Sequence, residues 1–416
     1  MIMAGYISRN SKSNCKIDDL FVKTLFLEDS ENNRLLLISL DLIRVDNDLY
    51  REIVDEIVNK TELKKEEIHI AATHTHSGPE ISTSFWNTLP LTDKDKEEIR
   101  EYRRFVIQEA LESTMDALSN VQKTRIFVGK SYVENVASNR VKPDGPVDPE
   151  TVYMFGKINN DINFLALNYA CHPTVLGSEN TCISGDLAGH VASILEKKLN
   201  SIVLYFNGAA GNISTRYTRK AQNTECLRML AQKVATPIYE SILRQEYKEI
   251  DMPGIETRIY RVIFKTKKIE GDIRKIKELM EILEEQLRQI KAQKTFSPEI
   301  RNIESKYEGL KVLLNRINDL KRIDKIEANI GYARIGNKVA MIFFPGEAYV
   351  ELQLMAKKKS KFPYLFFVGY ADGYIGYVPI DEWNVENSLV TYEKIVSIID
   401  PKEIDRINKI IEKIIT

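Results

Sequence analysis

Short apolar runs alternate with longer amphipathic segments along most of this 416-residue chain. The runs are rich in Ile, Val and Phe and have the length of strands, whereas the longer segments repeat apolar residues at helical spacing. This alternation predicts an α/β fold with a mixed β-sheet core flanked by helices. The predicted strands are 34–42, 68–73, 125–128, 164–170, 201–206, 258–264, 330–335, 339–344 and 364–370. The predicted helices are 48–60, 93–118, 188–198, 225–245, 348–358 and 401–415.

One segment departs from this alternation. Its apolar residues follow a heptad spacing from Ile276 to Ile290, and a second apolar stripe runs from Ile300 to Ile317. Ser297 before the second stripe is a natural helix N-cap. We therefore predict an antiparallel helical hairpin at 270–323, inserted into a domain formed by residues 1–269 and 324–416. We expect a lid or an arm for homo-oligomer formation; a hairpin that only packs against the domain is the alternative.

The amino-acid composition and net charge argue against some classes of binding partner. Hydrophobic residues make up 43% of the chain and charged residues 29%, as in an ordinary globular protein. The net charge of −1 gives no basic field, so we expect no nucleic-acid partner and no stable membrane association. The first residues lack the apolar run of a signal peptide. The four cysteines form no CxxC pair, and the expectation is a reduced, cytoplasmic protein.

The histidines are the most informative residues, because four of the five lie in short polar motifs after apolar runs. His74 and His76 flank Thr75, and residues two apart on an extended segment project to the same face. His172 ends another predicted strand, and His190 follows Ser184-Gly185-Asp186. Two histidines on a strand edge are also explained by simple exposure. Their clustering nevertheless favours a metal or acid–base site.

Glu347 is a further candidate, because it follows a predicted strand within Pro345-Gly346-Glu347. An alternative without a functional role is a favourable interaction of this carboxylate with the N-terminus of the next helix. Ligands of α/β sheets bind beyond the carboxyl ends of strands, where His74, His172 and Glu347 are expected to converge. Two histidines and a glutamate suit an open zinc site, and zinc brings the pKa of a bound water to about 7.

Two small-residue loops add candidates. The loop at 207–214 could bring backbone amides close to an oxyanion, although a tight turn without function explains it equally well. The loop at 369–379 carries three tyrosines, of which one could serve as a ligand or a hydrogen-bond donor. Asp186 could orient His172, whereas His190 is expected to open a helix and Cys171 to be buried.

Taken in order, these motifs resemble the catalytic domain of the neutral (non-lysosomal) ceramidases. The resemblance rests on five features: His74-Thr75-His76-Ser77-Gly78-Pro79, Asn139-Arg140, His172 with Ser184-Gly185-Asp186, Pro345-Gly346-Glu347, and Gly376-Tyr377-Val378 with Tyr392-Glu393. It implies that zinc is held by His74, His172, Glu347 and Tyr377. It also implies an acid–base role for His76, a substrate-holding role for Arg140 and an oxyanion-stabilising role for Tyr392.

The departures from the family pattern bear on mechanism. Ceramidases carry a nucleophilic serine in a Gly-Asp-x-Ser-Pro-Asn loop, and Ala210 stands at the matching position here. Attack by a zinc-activated water needs no such side chain. We also expect neither the C-terminal immunoglobulin-like domain nor the secretion signal of those enzymes. A cytoplasmic protein would not readily meet membrane ceramide.

The leading hypothesis is therefore a zinc-dependent hydrolase that cleaves an amide, or an ester, in a small polar or amphiphilic substrate. One alternative is a metal-dependent isomerase or lyase, because His76 beside a polarised carbonyl would also support proton abstraction. Another is an inactive, metal-stabilised binding protein. Ligand identity alone does not distinguish zinc from other first-row divalent ions.

Overall fold

The computed structural model describes residues 1–9, 11–83, 87, 89–250, 254–268, 273–291, 297–380 and 391–416. Its helices, numbered in chain order, are α1 (Asn47–Lys60), α2 (Asp93–Ser119), α3 (Asp186–Leu199), α4 (Thr224–Leu243), α5 (Ile273–Lys291), α6 (Pro298–Leu320), α7 (Val350–Lys359), α8 (Tyr392–Val396) and α9 (Ile404–Ile415). Short 3₁₀ turns cover Lys65–Glu67 and Pro401–Glu403.

The strands are β1 (Cys15–Lys16), β2 (Val22–Glu28), β3 (Arg34–Leu40), β4 (Ile68–Ala72), β5 (Arg125–Tyr132), β6 (Ser138–Asn139), β7 (Glu150–Ile158), β8 (Asp161–Tyr169), β9 (Cys182–Ile183), β10 (Ile202–Asn207), β11 (Ile213–Ser214), β12 (Tyr247–Glu249), β13 (Ile255–Lys265), β14 (Lys325–Ile335), β15 (Val339–Phe343), β16 (Glu347–Ala348), β17 (Tyr364–Val368) and β18 (Tyr377–Val378). Every predicted strand and helix coincides with an observed element to within a few residues at most of its ends.

Three sheets form the centre of the fold, with strand orders β2-β3-β4, β10-β8-β7-β5-β12 and β13-β14-β15-β17. Each contains both parallel and antiparallel neighbours. The predicted α/β class with a mixed sheet core is therefore confirmed, although the core is divided among several sheets. Of the strands in these three sheets, β2, β7 and β12 were not predicted.

The three sheets share one apolar core, because successive side chains of a strand point to opposite faces. In β3, Leu35 and Leu37 face this shared core, whereas Leu36 and Ile38 face the helices outside. Phe206 and Phe343 join the shared core from the other two sheets. α1 and α2 cover the outer face of the first sheet, α3 and α4 that of the second, and α5, α6 and α9 that of the third. Helices thus enclose two β layers.

The two heptad stripes form α5 and α6, which follow β13 and precede β14, its antiparallel partner. Ile276 of α5 and Ile317 of α6 are buried in one cluster with Phe264 of β13, so both helices pack against the third sheet. Ser297 caps α6 as predicted, by accepting a hydrogen bond from the backbone NH of Ile300. Residue 270, the first of the predicted hairpin, and residues 292–296 between its two apolar stripes lie outside the described residues. The division into a domain and an insertion stays a prediction.

The expectation that every cysteine is reduced is wrong for one pair. β1 pairs in parallel with β9, and this register sets Cys15 directly opposite Cys182. The structure joins the two in a disulfide across 167 residues of chain, a separation that a search for CxxC spacing does not cover. Cys171 is free and buried, as predicted. None of the helices in the described ranges combines the length and apolar character required to cross a membrane.

Candidate metal centre

The carboxyl ends of β4, β8 and β15 meet at one edge of the two β layers, and each is followed by a candidate ligand. His74 and His172 approach most closely, with 3.0 Å between their Nε2 atoms. Oε2 of Glu347 lies 3.1 Å from Nε2 of His172 and 3.4 Å from Nε2 of His74. All three side chains are buried. The structure thus brings together the three groups that were expected to converge.

Backbone carbonyls orient the two closest imidazoles. Nδ1 of His74 lies 2.6 Å from the carbonyl oxygen of Ile43, and Nδ1 of His172 lies 2.5 Å from that of Ala210. A carbonyl only accepts hydrogen bonds, so each Nδ1 carries the proton and each Nε2 presents its lone pair. Two lone pairs 3.0 Å apart repel each other unless a cation lies near both. Oε2 of Glu347 also lacks a hydrogen-bond donor among the described residues. These features fit a divalent metal ion.

His76 belongs to the same cluster, with its Nε2 3.2 Å from Nε2 of His74. Candidate ligand atoms of His74, His76 and His172 all lie within 4.8 Å of one another. Gly5 packs against the ring: it has a φ of +98°, and a Cβ on it would lie 2.5 Å from Nδ1 of His76. The sequence assigned His76 an acid–base role, and its position makes it a candidate third imidazole ligand as well.

The electrostatics of the cluster favour ligation. Burial, with the nearby Arg140 and His74, lowers the pKa of His172 to about 3. Burial and the two neighbouring imidazoles hold the pKa of His76 well below its usual value. Burial alone would raise the pKa of Glu347, but positive charge on the adjacent His74 and His172 outweighs burial and lowers that pKa well below the usual range, so the carboxylate favours a cation at this position. Neutral imidazoles beside an ionised carboxylate are the protonation states that bind a metal.

The tyrosine-rich loop supplies several phenols to this centre. The hydroxyl of Tyr374 donates to Oε1 of Glu347 at 2.5 Å, and the ring of Tyr370 stacks on His74 with 3.9 Å between ring centroids. Tyr377 pairs with Glu347 across β16 and β18. Sequence reasoning singled out this loop but selected Tyr377 alone. Its glycines and repeated tyrosines were the signal for the other two.

Arg140 and Tyr392 complete the predicted set. Nη2 of Arg140 donates to the hydroxyl of Tyr377 at 3.1 Å, and its Nε lies 2.9 Å from a carboxylate oxygen of Glu393. The ring of Tyr392 meets that of Tyr377 edge-on at 5.8 Å. With His76, these residues line a cavity of about 410 Å³. A smaller adjoining cavity of about 90 Å³ is lined by His74 and Glu347 and shares His76, Tyr377 and Tyr392 with the larger one.

One weaker expectation is wrong, and a second loses most of its support. Asp186 accepts from the backbone NH groups of Val175 and Leu176, so it fixes the loop after His172 and leaves the imidazole to the carbonyl of Ala210. In the loop at 207–214, the amides of Gly208, Ala209, Gly211 and Ile213 donate within the protein, which leaves few for an oxyanion. The loop instead provides carbonyl acceptors for His172. His190 lies on α3, outside the cluster, with Nδ1 3.2 Å from the carbonyl of Asp186.

Comparison with known proteins identifies the family of this chain. Residues 1–214 match the model of the family "Neutral/alkaline non-lysosomal ceramidase, N-terminal", and the chain belongs to that family. Neutral ceramidases of Drosophila melanogaster and Drosophila pseudoobscura pseudoobscura are each 24% identical to it over 198 and 204 residues respectively. Each match covers 44% of this chain and 28% of the relative, so the chain corresponds to less than a third of those proteins.

Solved structures extend the likeness in fold. A ceramidase complexed with C2 matches with a TM-score of 0.73 at 16% identity, over 99% of this chain and 72% of that one. The neutral ceramidase of Pseudomonas aeruginosa matches with a TM-score of 0.71 at 17% identity, over 99% and 71%. At such identities, the shared property is the fold.

Proposed function

We propose that this protein is a zinc-dependent hydrolase that cleaves the amide bond of a small polar or amphiphilic substrate. One observation carries the proposal: the Nε2 atoms of His74 and His172 and the carboxylate of Glu347 converge within 3.4 Å of one another. His74 and Glu347 line a cavity of about 90 Å³ that adjoins the larger cavity of about 410 Å³. The family supports amide hydrolysis as the reaction class. Two histidines and a carboxylate are a common donor set for catalytic zinc.

When bound, zinc would supply a Lewis acid for the carbonyl and would lower the pKa of a water to about 7. The chain's own residues do the rest. Tyr374 fixes the carboxylate of Glu347 through its hydrogen bond. Addition of water to the carbonyl carbon is followed by cleavage of the C–N bond, and the leaving nitrogen must receive a proton. His76 is the base and acid that we assign to these transfers.

Arg140 and Tyr392 are assigned to the developing oxyanion. Arg140 stays charged because Tyr377 and Glu393 raise its pKa against the effect of burial. A fixed cation in a buried site stabilises negative charge more strongly than it would in water. Tyr377 lies between this arginine and Glu347, where its hydroxyl can act as a fourth ligand or as a donor.

The absence of a serine at position 210 fits direct attack by water. Ala210 contributes its carbonyl oxygen, which accepts from Nδ1 of His172 at 2.5 Å. The backbone at this position thus supports the metal site without a hydroxyl group. No covalent acyl-enzyme is required, because the water is itself the nucleophile.

The lining of the cavity favours a polar substrate over ceramide. Its walls carry four arginines and four glutamates: Arg140, Arg216, Arg219, Arg301, Glu179, Glu304, Glu308 and Glu393. Long alkyl chains gain nothing from contact with such groups, whereas polar substrates find partners there. We propose a small N-acyl amide as the substrate.

The test is release of a primary amine from a panel of N-acyl amides and a short-chain ceramide. Wild type should cleave at least one amide, and His76→Ala should reduce kcat by at least roughly 100-fold, the usual scale of a general acid–base group. His190→Ala, a matched histidine outside the cluster, should retain activity. Absence of amine release from every substrate by metal-loaded wild type would contradict the proposal.

The role of His76 is separated from ligation by the metal content of the same variant. If His76 transfers protons, His76→Ala keeps its metal while Tyr377→Phe weakens metal binding. If His76→Ala loses its metal while Tyr377→Phe keeps it fully, His76 is the metal ligand and Tyr377 is not.

A further inference from the structure

One arginine in the cavity wall lacks an opposite charge. Arg216 lines the cavity and is only 8% exposed, and its guanidinium donates to Oδ1 of Asn302 at 2.7 Å and approaches Oγ of Ser305 at 3.5 Å. Both partners are neutral. No carboxylate in the described ranges forms an ion pair with Arg216. A buried guanidinium without an anion is costly, because burial penalises its charge.

Two acidic groups of the wall are already paired with other arginines. Glu308 holds Arg301 through two hydrogen bonds of 3.0 and 2.8 Å, and Glu393 lies 2.9 Å from Nε of Arg140. These pairs leave the guanidinium of Arg216, which lines the cavity, without an ion-pair partner among the described residues. Burial, with the nearby Arg140 and Arg301, lowers the pKa of Arg216 to about 9. An anion placed beside it would remove this penalty.

The guanidinium is also held in position. Asn302 of α6 accepts from it and donates to the hydroxyl of Tyr217 at 3.0 Å. The backbone NH of Arg216 donates to Oγ of Ser214, and Ser214 pairs with His172 in an isolated β-bridge. A short, ordered connection therefore runs from the metal centre to this arginine. Such preorganisation suits recognition of a planar acid group.

We propose that Arg216 binds a carboxylate of the substrate, so that the protein acts on N-acyl amides that carry one acid group. This inference rests on the proposed hydrolase function. A single negative charge is favoured over a phosphate dianion, because Glu308 and Glu393 lie in the same wall and would repel additional charge. α6 of the hairpin thereby contributes to substrate selection through Asn302.

The first test compares acids with matched neutral amides. N-hexanoylglycine is paired with N-hexanoylglycinamide, and N-hexylsuccinamate with N-hexylsuccinamide, so that the acid lies on either side of the scissile bond. In at least one pair, kcat/KM should favour the acid by roughly tenfold to 100-fold, the scale of a hydrogen bond to a charged group. Arg216→Gln should abolish the preference through KM, and Arg216→Lys should restore part of it. Absence of a preference in both pairs would overturn the inference.

A binding measurement separates this inference from hydrolysis. For each pair, the corresponding ketones replace the nitrogen of the scissile amide with a methylene group, so that this bond cannot be hydrolysed. Calorimetry on the metal-containing protein should show tighter binding of a keto acid than of its neutral partner, and Arg216→Gln should remove the difference. This result supports the anion site even if no amide is cleaved. Equal affinities would reject the anion site even if amides are cleaved.

Two controls exclude a purely structural role for the arginine. Arg228→Gln changes an exposed arginine of α4 outside the cavity and should leave the acid preference intact. Arg216→Gln should unfold at the same temperature as wild type or higher, because it removes a buried charge without an ion-pair partner. A marked fall in unfolding temperature would show that Arg216 supports the fold, and would overturn the assignment.

Discussion

The candidate metal centre and the arginine-lined wall border two adjoining cavities, and burial has opposite consequences for charge in the two regions. At the metal centre, burial keeps the imidazoles of His76 and His172 neutral, and the carboxylate of Glu347 lies beside them. In the wall, the guanidinium groups remain charged, and ion pairs compensate Arg140 and Arg301. Arg216 has neutral partners instead.

This difference indicates which ligand each region would bind. The facing Nε2 lone pairs of His74 and His172 repel each other, and a bound cation would relieve that repulsion. The buried guanidinium of Arg216 has only neutral hydrogen-bond partners among the described residues, and a bound anion would stabilise its charge. In both regions, the buried group without a complementary partner indicates the charge of the ligand more clearly than the groups that are already paired.

The largest effect is expected from comparing two arginines of the same wall. Arg140→Gln leaves Glu393 buried without its cation, which should cost about 3–5 kcal/mol of unfolding free energy. Arg216→Gln leaves no carboxylate unpaired and should cost little. Urea denaturation of both variants measures the contrast. Equal losses of unfolding free energy in the two variants would contradict the distinction between an ion-paired Arg140 and an unpaired Arg216.

A smaller effect is expected from the phenol that supports the metal centre. Tyr374→Phe removes the donor to Oε1 of Glu347 and should weaken metal affinity by roughly 10- to 100-fold, as for other groups that orient ligands. Competition with a chelator gives the affinity. Tyr132→Phe, at an exposed tyrosine, is the matched control. Unchanged affinity in Tyr374→Phe would mean that the carboxylate does not depend on this phenol.

The third effect concerns pH and is the smallest of the three when it is taken over one pH unit. The pKa of His172 falls from 6.5 to about 3 on folding, so between these values the unfolded chain binds a proton that the folded chain does not. Stability of the metal-free protein should therefore fall as the pH drops from 6.5 towards 3, by about 1.4 kcal/mol per pH unit for this histidine. The depressed pKa of Glu347 acts in the same direction at lower pH.

Thermal unfolding of chelator-treated protein at stepped pH measures this slope. His172→Asn should flatten it, with His190→Asn as the control for removal of a histidine. An unchanged slope in His172→Asn would contradict a buried, neutral His172.

Much of the fold and the core of the site could be predicted from local sequence. His74, His172 and Glu347 each follow an apolar run directly, so the rule that strand ends converge was enough to group them. β2 escaped prediction because only one of its residues, Leu25, is fully buried, which weakens its apolar pattern. The division into several sheets depends on contacts between distant segments, which periodicity does not record.

The arginine wall could not be predicted in the same way. Arg216 lies in an irregular segment, and its charge gains meaning only once α6 brings Asn302 and Glu308 alongside. The disulfide between Cys15 and Cys182 likewise depends on pairing between β1 and β9. Local motifs reveal ligands that follow strands, whereas long-range packing decides which charges remain unpaired.

The most direct test of the metal centre is the metal content of purified protein by mass spectrometry, with His172→Ala beside His190→Ala. Wild type and His190→Ala should each carry about one zinc ion per chain, and His172→Ala should carry almost none. A folded wild type that binds no divalent metal even after zinc is supplied, or a His172→Ala variant with the full wild-type content, would contradict the account.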